Sequence, residues 1–255
     1  MEKLDKYLDK ITQGDALKLI KEIPDNSIDL IVVDPPYLIK KNKIKKIDKN
    51  DINNLSRINK NKCLSANEIY DLNNGFDLSI LDEFDRVMKN TNIYIFCSKD
   101  QIYDYYNYYT EKGCNINLLV WCKTNSLPSI NGCYKQDIEY IIFAKKGGKK
   151  LNGNVKTLSR FYISQTNVYD KKLYLHPTIK PLELVKNYII NSSDEGDIVL
   201  DAFMGSGTTA VACKQLNRHF VGFELNEKYH QIACERLKGT NQLEKCEYIN
   251  LIDME

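Results

Sequence analysis

The sequence predicts a doubly wound α/β fold, in which helices cover both faces of a mostly parallel sheet. Three observations support this class. Short apolar strands alternate with helix-length segments along the 255 residues, which is typical of such sheets. The run 28–33, apolar apart from Asp29, indicates a strand that is buried on both faces. A second apolar run, 198–200, leads into a glycine turn and then a helix start.

The predicted elements follow one another along the chain. A short strand at 8–12 precedes a helix at 15–23, whose apolar positions share one side. Further helices are predicted near 78–88, through Lys112, at 181–191, from the glycine turn through Leu216, and at 226–237. Further strands are predicted at 93–96, 117–121, 138–143 and 219–223. We expect the strand at 138–143 to be antiparallel and to lie at the far side of the sheet.

Four residues, Asp34, Pro35, Pro36 and Tyr37, directly follow the strand at 28–33. The prolines end it, because neither has an N–H for a ladder and both restrict φ. A carboxylate, a rigid carbonyl and an aromatic ring are therefore expected at the carboxyl edge of the sheet, where open α/β sheets bind ligands. The carboxylate and the Pro35 carbonyl can accept N–H bonds from a flat, amine-bearing ring on which Tyr37 stacks. The alternative is an ordinary turn with an incidental acid and tyrosine.

A glycine turn follows the strand that begins at 198. Gly205 and Gly207 allow a tight turn and a close approach of the backbone to a ligand, and Thr208 or Thr209 can cap the following helix. Glu224 ends the next strand, about 20 residues further on, where an acid can bind two ribose hydroxyls. The turn also fits the G-x-G-x-x-A dinucleotide fingerprint. By itself it indicates an adenosine-containing cofactor and leaves open which one.

Together, the Asp-Pro-Pro-Tyr motif and the block at 203–207 resemble the motifs of the DNA amino-methyltransferases that use S-adenosylmethionine. These enzymes carry D-P-P-Y and F-x-G-x-G, and the order seen here, with D-P-P-Y first, resembles their β group. Residues 176–181 are similar to that group's H-P-T-x-K-P block, and residues 121–128 to its W-x-K-x-N-x-x-P block. The blocks appear in the expected order, and the resemblance spans residues 34 to 224.

The resemblance implies the Rossmann-like fold of class I methyltransferases, with seven strands, one of them antiparallel, and a circularly permuted motif order. It implies S-adenosylmethionine as cofactor, S-adenosylhomocysteine as product, and no metal. The acceptor would be the N6 amine of an adenine flipped out of double-stranded DNA within a short sequence. Catalytic roles are implied for Asp34, Pro35, Pro36 and Tyr37. Cofactor contacts are implied for Asp15, His176, Thr178, Lys180, Asp201, Phe203, Gly205, Ser206, Gly207, Thr208, Glu224 and Asn226.

Several other activities fit the sequence less well. In the family resembled, Asp at the first motif position favours adenine N6, whereas N4-cytosine enzymes more often begin with Ser; N4-cytosine methylation is the alternative. Asn there would have resembled glutamine methylation of protein, and no Pro-Cys pair is present for a C5-cytosine nucleophile. An NAD-dependent oxidoreductase would leave residues 34–37 unexplained. A DNA-binding regulator built on an inactive methyltransferase is opposed by the filled motif positions.

Two segments are strongly basic. Nine Lys or Arg outnumber two Asp between residues 40 and 62, and eight outnumber one between 145 and 172, although the net charge of the chain is only +2. Both flank site motifs and lack a clear helical or strand period. This is the pattern expected for phosphate contacts, although solvated Lys- and Asn-rich loops would look the same. DNA contacts are predicted for Lys40, Lys41, Lys43, Lys45, Lys46, Lys123, Asn125, Lys149, Lys150 and Arg160.

Length and composition fit one methyltransferase domain over residues 1–255, with DNA-contacting or target-recognition insertions at about 38–70 and 145–174. No apolar run reaches the ~18 residues of a membrane span, and the N-terminus is too charged for a signal peptide. Eight cysteines without a C-x-x-C and only three histidines indicate neither a disulfide framework nor a metal site. We expect a cytoplasmic enzyme, a possible homodimer, and a possible cognate restriction endonuclease.

Overall fold

The computed structural model describes residues 2–37, 77–126, 134–166 and 179–239. Its strands are β1 (Lys10–Gln13), β2 (Leu30–Val33), β3 (Thr91–Cys97), β4 (Asn115–Lys123), β5 (Ile138–Lys146), β6 (Phe161–Ser164), β7 (Ile198–Asp201) and β8 (His219–Glu224). Its helices are α1 (Glu2–Asp5), α2 (Ala16–Leu19), α3 (Ile80–Val87), α4 (Ile102–Glu111), α5 (Leu182–Ser192), α6 (Thr208–Gln215) and α7 (Glu227–Gly239).

The described strands form one sheet in the order β1-β8-β7-β2-β3-β5-β4-β6. All neighbours are parallel except β5, which is antiparallel to both β3 and β4. The doubly wound fold with one antiparallel strand is therefore confirmed. Two details were wrong: the described residues contribute eight strands to the sheet instead of seven, and β5 lies between β3 and β4 instead of at the far side.

The eighth strand, β6, comes from the second basic segment, where no strand period was recognised. None of its side chains is fully buried, since Phe161 and Ile163 are exposed while Tyr162 and Ser164 are half-buried. Backbone pairing to β4, from Val120–Phe161 to Lys123–Ser164, holds it in place. Because β6 is held by backbone pairing and buries none of its side chains fully, its sequence shows no hydrophobic period.

The permuted order is visible in the sheet. β1 pairs with β8 in parallel, so that Gln13 lies opposite Glu224. Just beyond the two strands, the Gly14 N–H donates to the Glu224 carbonyl at 2.9 Å. The start of the chain therefore lies beside the strand that follows the glycine turn, in agreement with the circularly permuted motif order that the resemblance implied.

Two apolar cores lie on opposite faces of the sheet. α2, α3 and α4 pack on one face through residues such as Ile80, Phe84 and Tyr105. α5, α6 and α7 pack on the other, through residues such as Leu184 and Ala233. The described helices and the sheet thus form the three layers expected of a doubly wound fold. Within the described ranges, no helix is long and apolar enough to cross a membrane.

Two helices differ from the prediction, one in its length and the other in its N-terminal cap. The helix predicted at 15–23 is the short α2, followed by a 3₁₀ turn at Ile20–Glu22. The residue that caps α6 is Gly207, with φ of 83°, and no side chain caps this helix. The expected cap from Thr208 or Thr209 was wrong, because both hydroxyls bind other side chains.

Gly207 packs closely against α7. A Cβ at this position would lie 3.1 Å from the Ala233 Cβ and 3.2 Å from its Cα. We expect Gly207→Ala to lower the free energy of unfolding by about 1–3 kcal/mol more than Gly196→Ala, measured by urea denaturation. Gly196 is the matched control, since it has a similar φ of 81° but an added Cβ there would meet nothing within 4 Å. Equal losses would contradict the close packing.

Candidate active site at the carboxyl edge of the sheet

The Asp-Pro-Pro-Tyr motif lies at the carboxyl edge, directly after β2. The Asp34 side chain is 26% exposed, and the Pro35 residue beside it is buried. The neighbouring strand β7 ends in Asp201, and β8 beyond it ends in Glu224. Because parallel strands bring their carboxyl ends to one edge, three acidic residues lie there at the ends of three adjacent strands.

Lys180 lies against Asp34. Its ammonium, only 7% exposed, donates to the Asp34 carboxylate in a short contact and lies 3.3 Å from a Glu139 oxygen. It is also 5.1 Å from the centre of the Phe96 ring and 5.6 Å from that of Tyr37. The resemblance had assigned Lys180 to the cofactor, whereas the structure brings it to the catalytic motif. His176 and Thr178, from the same block, lie outside the described residues.

Glu139 was not anticipated. One of its oxygens accepts the Tyr37 hydroxyl at 3.3 Å and faces Lys180, and the other is 2.7 Å from the Lys123 ammonium. Because β5 is antiparallel, its second residue lies at the same edge as the ends of the parallel strands. One signal was available: a single acid stands in the otherwise apolar run 138–143.

The charged side chains around Lys180 shift one another's pKa values. Burial disfavours the charge on Lys180, but Asp34 and Glu139 outweigh it and raise the pKa of the lysine. Burial also opposes ionisation of Glu139, yet Lys180 and Lys123 lower the pKa of that carboxyl. For Asp34, burial raises the pKa, with Lys180 opposing it. Burial and the nearby carboxylates raise the pKa of Tyr37 far above its usual value, so its hydroxyl remains a donor to Glu139.

The two residues taken from the Trp121 block are held by the protein itself. Lys123 is only 16% exposed and is paired with Glu139. The Asn125 side chain accepts the Thr166 N–H at 2.7 Å and so connects the segments that follow β4 and β6. Their DNA contacts stay a prediction, in which these groups would also keep the partners that they have inside the protein.

Lys149 and Lys150 lie far from the catalytic motif. β5 ends at Lys146, which pairs with Thr91 at the start of β3, so the following residues are at the amino edge of the sheet. There Lys149 forms an ion pair with Asp194. The antiparallel strand therefore carries these lysines to the edge opposite the catalytic motif, and their contact with DNA stays a prediction.

Of the remaining residues predicted to contact DNA, Arg160 lies among the described residues and the lysines of the first basic segment do not. The Arg160 carbonyl accepts the Val120 N–H at 2.9 Å, which places the residue midway along β4, at the outer strand of the sheet. It is exposed there. Lys40, Lys41, Lys43, Lys45 and Lys46 lie outside the described residues.

The glycine turn is held by the two carboxylates that flank it. Glu224 accepts the Gly205 N–H at 2.7 Å with one oxygen and the Asn226 N–H at 2.8 Å with the other. Asp201 accepts the Phe203 N–H at 3.0 Å and the Thr209 hydroxyl at 2.6 Å. The loop conformation is therefore fixed by side chains from the ends of β7 and β8.

Other predicted cofactor residues serve the protein scaffold. The Arg236 guanidinium donates to the buried hydroxyls of Ser206 and Thr208, at 3.2 and 2.9 Å. The Asn226 side chain accepts N–H groups in the first turn of α7. Asp15 caps α2 by accepting the Leu17 N–H at 3.0 Å. The cofactor contacts of Asp15, Ser206, Thr208 and Asn226 stay predictions, and the structure shows which contacts within the protein these side chains already make.

Asp201 makes stability depend on pH. Burial, aided by Asp34 and Glu224, raises the pKa of this carboxyl to about 7, although the Thr209 and Phe203 hydrogen bonds act against it. The folded state therefore keeps a proton that the unfolded chain loses near pH 4. The stabilisation present below pH 4 is lost as the pH rises to about 7, by at most about 4 kcal/mol.

Asp201→Asn tests this. We expect its free energy of unfolding, measured in urea at several pH values, to vary less between pH 4 and 7 than that of the wild type. Asp104→Asn, at an exposed position on α4, should retain the wild-type slope. An Asp201→Asn profile parallel to the wild type would show that this carboxyl does not titrate as described.

The comparisons agree with this geometry. A family model described as DNA methylase matches residues 28–235. The type II methyltransferase M2.DpnII of Streptococcus pneumoniae is 30% identical, covering 91% of this chain and 90% of the relative. M.HpaI of Haemophilus parainfluenzae, also a type II methyltransferase, is 33% identical, with 88% and 72% covered.

Solved structures support the same relationship. M1.HpyAVI in complex with SAM is 28% identical, has a TM-score of 0.63, and covers 89% of this chain and 99% of its own. The cytosine-N4-specific PvuII DNA methyltransferase also has a TM-score of 0.63, but at 18% identity it shows the fold alone. Since the family model matches more than half of its length, this chain belongs to the N6/N4 DNA methylase family.

Proposed function

We propose that this protein is a site-specific DNA methyltransferase that transfers a methyl group from S-adenosylmethionine to the N6 amine of adenine. The single observation that carries the proposal is the placement of Asp34 and Tyr37 at the end of β2, beside the glycine turn that follows the neighbouring strand β7. An amine held at the first and a methyl donor held at the second would meet at one edge of the sheet.

The residues on the donor side suit S-adenosylmethionine. Glu224 at the end of β8 suits the ribose of the donor, because each of its oxygens keeps a second lone pair for a ribose hydroxyl after accepting its backbone N–H. The backbone of Gly205 and Gly207 can approach the ligand closely. The donor supplies an electrophilic methyl group: the N–C bond forms as the C–S bond breaks, and the sulfur keeps the electron pair.

Asp34 and the Pro35 carbonyl hold the amine. They accept its two N–H groups, so that the nitrogen lone pair faces the methyl carbon and positioning supplies most of the rate. After attack, the nitrogen is cationic and releases its proton to Asp34, whose exposed fraction gives it access to water. The two prolines keep the carbonyl rigid.

Tyr37 provides the surface for the flipped base. Flipping costs a few kcal/mol, and stacking on an aromatic ring returns about 1–3 kcal/mol. Glu139 accepts the Tyr37 hydroxyl at 3.3 Å and so restricts the ring orientation. The base is thus held at its edge by the Asp34 carboxylate and the Pro35 carbonyl, and on its face by the Tyr37 ring.

The substrate is double-stranded DNA, and we assign its phosphate contacts to the basic segment at 40–62. The chain would form one catalytic domain with insertions at about 38–70 and 145–174. A homodimer that shares target recognition and a cognate restriction endonuclease are further parts of this proposal. The endonuclease is supported by the type II relatives in Streptococcus and Haemophilus.

The test is the identity of the methylated nucleoside. Plasmid DNA is incubated with the purified chain and deuterated-methyl S-adenosylmethionine, digested to nucleosides, and analysed by mass spectrometry. We expect labelled N6-methyldeoxyadenosine, because the motif begins with Asp. Labelled N4-methyldeoxycytidine would establish the cytosine alternative, and the absence of any labelled nucleoside would overturn the proposal. Sequencing the same DNA with a modification-sensitive method identifies the recognition site.

A further inference from the structure

Four charged side chains form a continuous series of contacts at the catalytic edge. Lys123 contacts Glu139 at 2.7 Å, Glu139 contacts Lys180 at 3.3 Å, and Lys180 contacts Asp34. We call these residues the charged tetrad. Two ammonium groups and two carboxylates give it a net charge of zero.

The tetrad is costly to bury. Its side chains are 16%, 16%, 7% and 26% exposed in the order given. Removing charges from water costs free energy that their mutual attraction often fails to recover, so apolar residues of similar volume would serve stability as well. Strand pairing does not require an acid at Glu139, because this residue pairs with Trp121 of β4 through backbone groups alone. The tetrad is therefore better explained by a functional requirement.

That requirement follows from the charge of the methyl donor. S-adenosylmethionine carries a positive charge on sulfur, which S-adenosylhomocysteine lacks. Asp34 and Lys180 cancel each other, and Glu139 cancels Lys123. Without Glu139 the tetrad would carry one net positive charge beside the site where a cation must bind.

We propose that Glu139 is a positioning residue of the methyl-transfer site. It holds Lys180 against Asp34, holds the Tyr37 hydroxyl, and keeps the charged tetrad neutral, so that the cationic donor binds without electrostatic repulsion. This inference rests on the proposed function and adds a requirement on the electrostatics of its donor site.

The test compares two ligands that differ only in the transferred methyl group and its charge. Isothermal titration calorimetry gives the dissociation constants of S-adenosylmethionine and S-adenosylhomocysteine for the full chain and its variants. Glu139→Gln should lower the preference for the cationic ligand by about tenfold, the size expected for one unit of charge at short range. Lys123→Gln should raise that preference, since the tetrad becomes negative. The double variant, again neutral, should return close to the wild-type ratio.

The two variants are expected to change the preference for the cationic ligand in opposite directions. This distinguishes an effect of charge from structural damage, because a disturbed pocket would weaken the binding of both ligands in both variants. Glu183→Gln, at an exposed glutamate of α5, is the matched control and should leave the ratio unchanged. If Glu139→Gln fails to fold, the ratio for Lys123→Gln alone decides. Shifts in the same direction, no shift, or no recovery in the double variant would overturn the inference.

Failure of the inference is distinguishable from failure of the proposed function. A wild-type protein that methylates DNA while its variants show unchanged ligand ratios would retain the function and lose the role of Glu139. A wild-type protein that binds neither ligand and transfers no methyl group would contradict the function itself.

Discussion

Asp34→Ala is expected to abolish methyl transfer to DNA. The substitution removes the acceptor that orients the amine, and misplacing a reacting group costs at least about 100-fold in rate. It also leaves Lys180 without its first partner, so that the ammonium faces the place proposed for the amine. The measurement is single-turnover transfer of a tritiated methyl group at saturating S-adenosylmethionine. Donor affinity should stay within about tenfold of the wild type, because only one unit of charge changes.

Two further variants make this result specific. Asp34→Asn keeps the shape of the side chain but can offer only one oxygen as acceptor, so its rate should also fall strongly. Asp104→Asn, at an exposed position on α4, should retain wild-type turnover. Measurable turnover by Asp34→Ala at a rate near that of the wild type would remove Asp34 from the mechanism.

Glu224→Ala is expected to weaken binding of S-adenosylmethionine by about 100-fold, since two hydrogen bonds from ribose hydroxyls to a carboxylate are lost. Gly205 and Asn226 also lose their acceptor, so the glycine turn becomes less well fixed. DNA affinity in the absence of the donor should not change. Calorimetry for the donor and fluorescence anisotropy for a labelled duplex measure the two quantities.

A ligand change separates the two contributions of Glu224. A 2′-deoxyribose analogue of the donor should bind the wild type more weakly than the natural donor does. Glu224→Ala should bind the analogue and the natural donor with equal affinity. Glu227→Ala, at an exposed acid in the first turn of α7, is the matched control. If both proteins discriminate against the analogue to the same extent, Glu224 only supports the loop and does not contact the ribose.

Local sequence was sufficient for the backbone of the site. The apolar run before Asp34 and the prolines after it determine where β2 ends, and glycines at 205 and 207 determine a turn after β7. Each signal lies within about ten residues, and ligands of open α/β sheets bind where such strands end. The pairing of β1 with β8 agrees with the circularly permuted motif order that the resemblance implied.

The partners of these residues were decided by tertiary structure. Lys180 reaches Asp34 across 146 residues, and Tyr37 reaches Glu139 across 102. Neither pair has a sequence period, because ion pairs between distant segments depend on which strands become neighbours. Hence the resemblance assigned Lys180 to the cofactor, and Glu139 was missed altogether.

The direction of β5 decided which other residues lie at the catalytic edge of the sheet. The sequence by itself determined the doubly wound fold and where the motif and the glycine turn lie along the chain, because apolar periods, prolines and glycines act through neighbouring residues. Only the tertiary structure decided that β5 lies between β3 and β4 and runs antiparallel to both, which brings Glu139 to the catalytic edge and carries Lys149 to the opposite one. The physical reason is that the sequence specifies the charge of each side chain, whereas the packing of the whole sheet sets the distance between two charges.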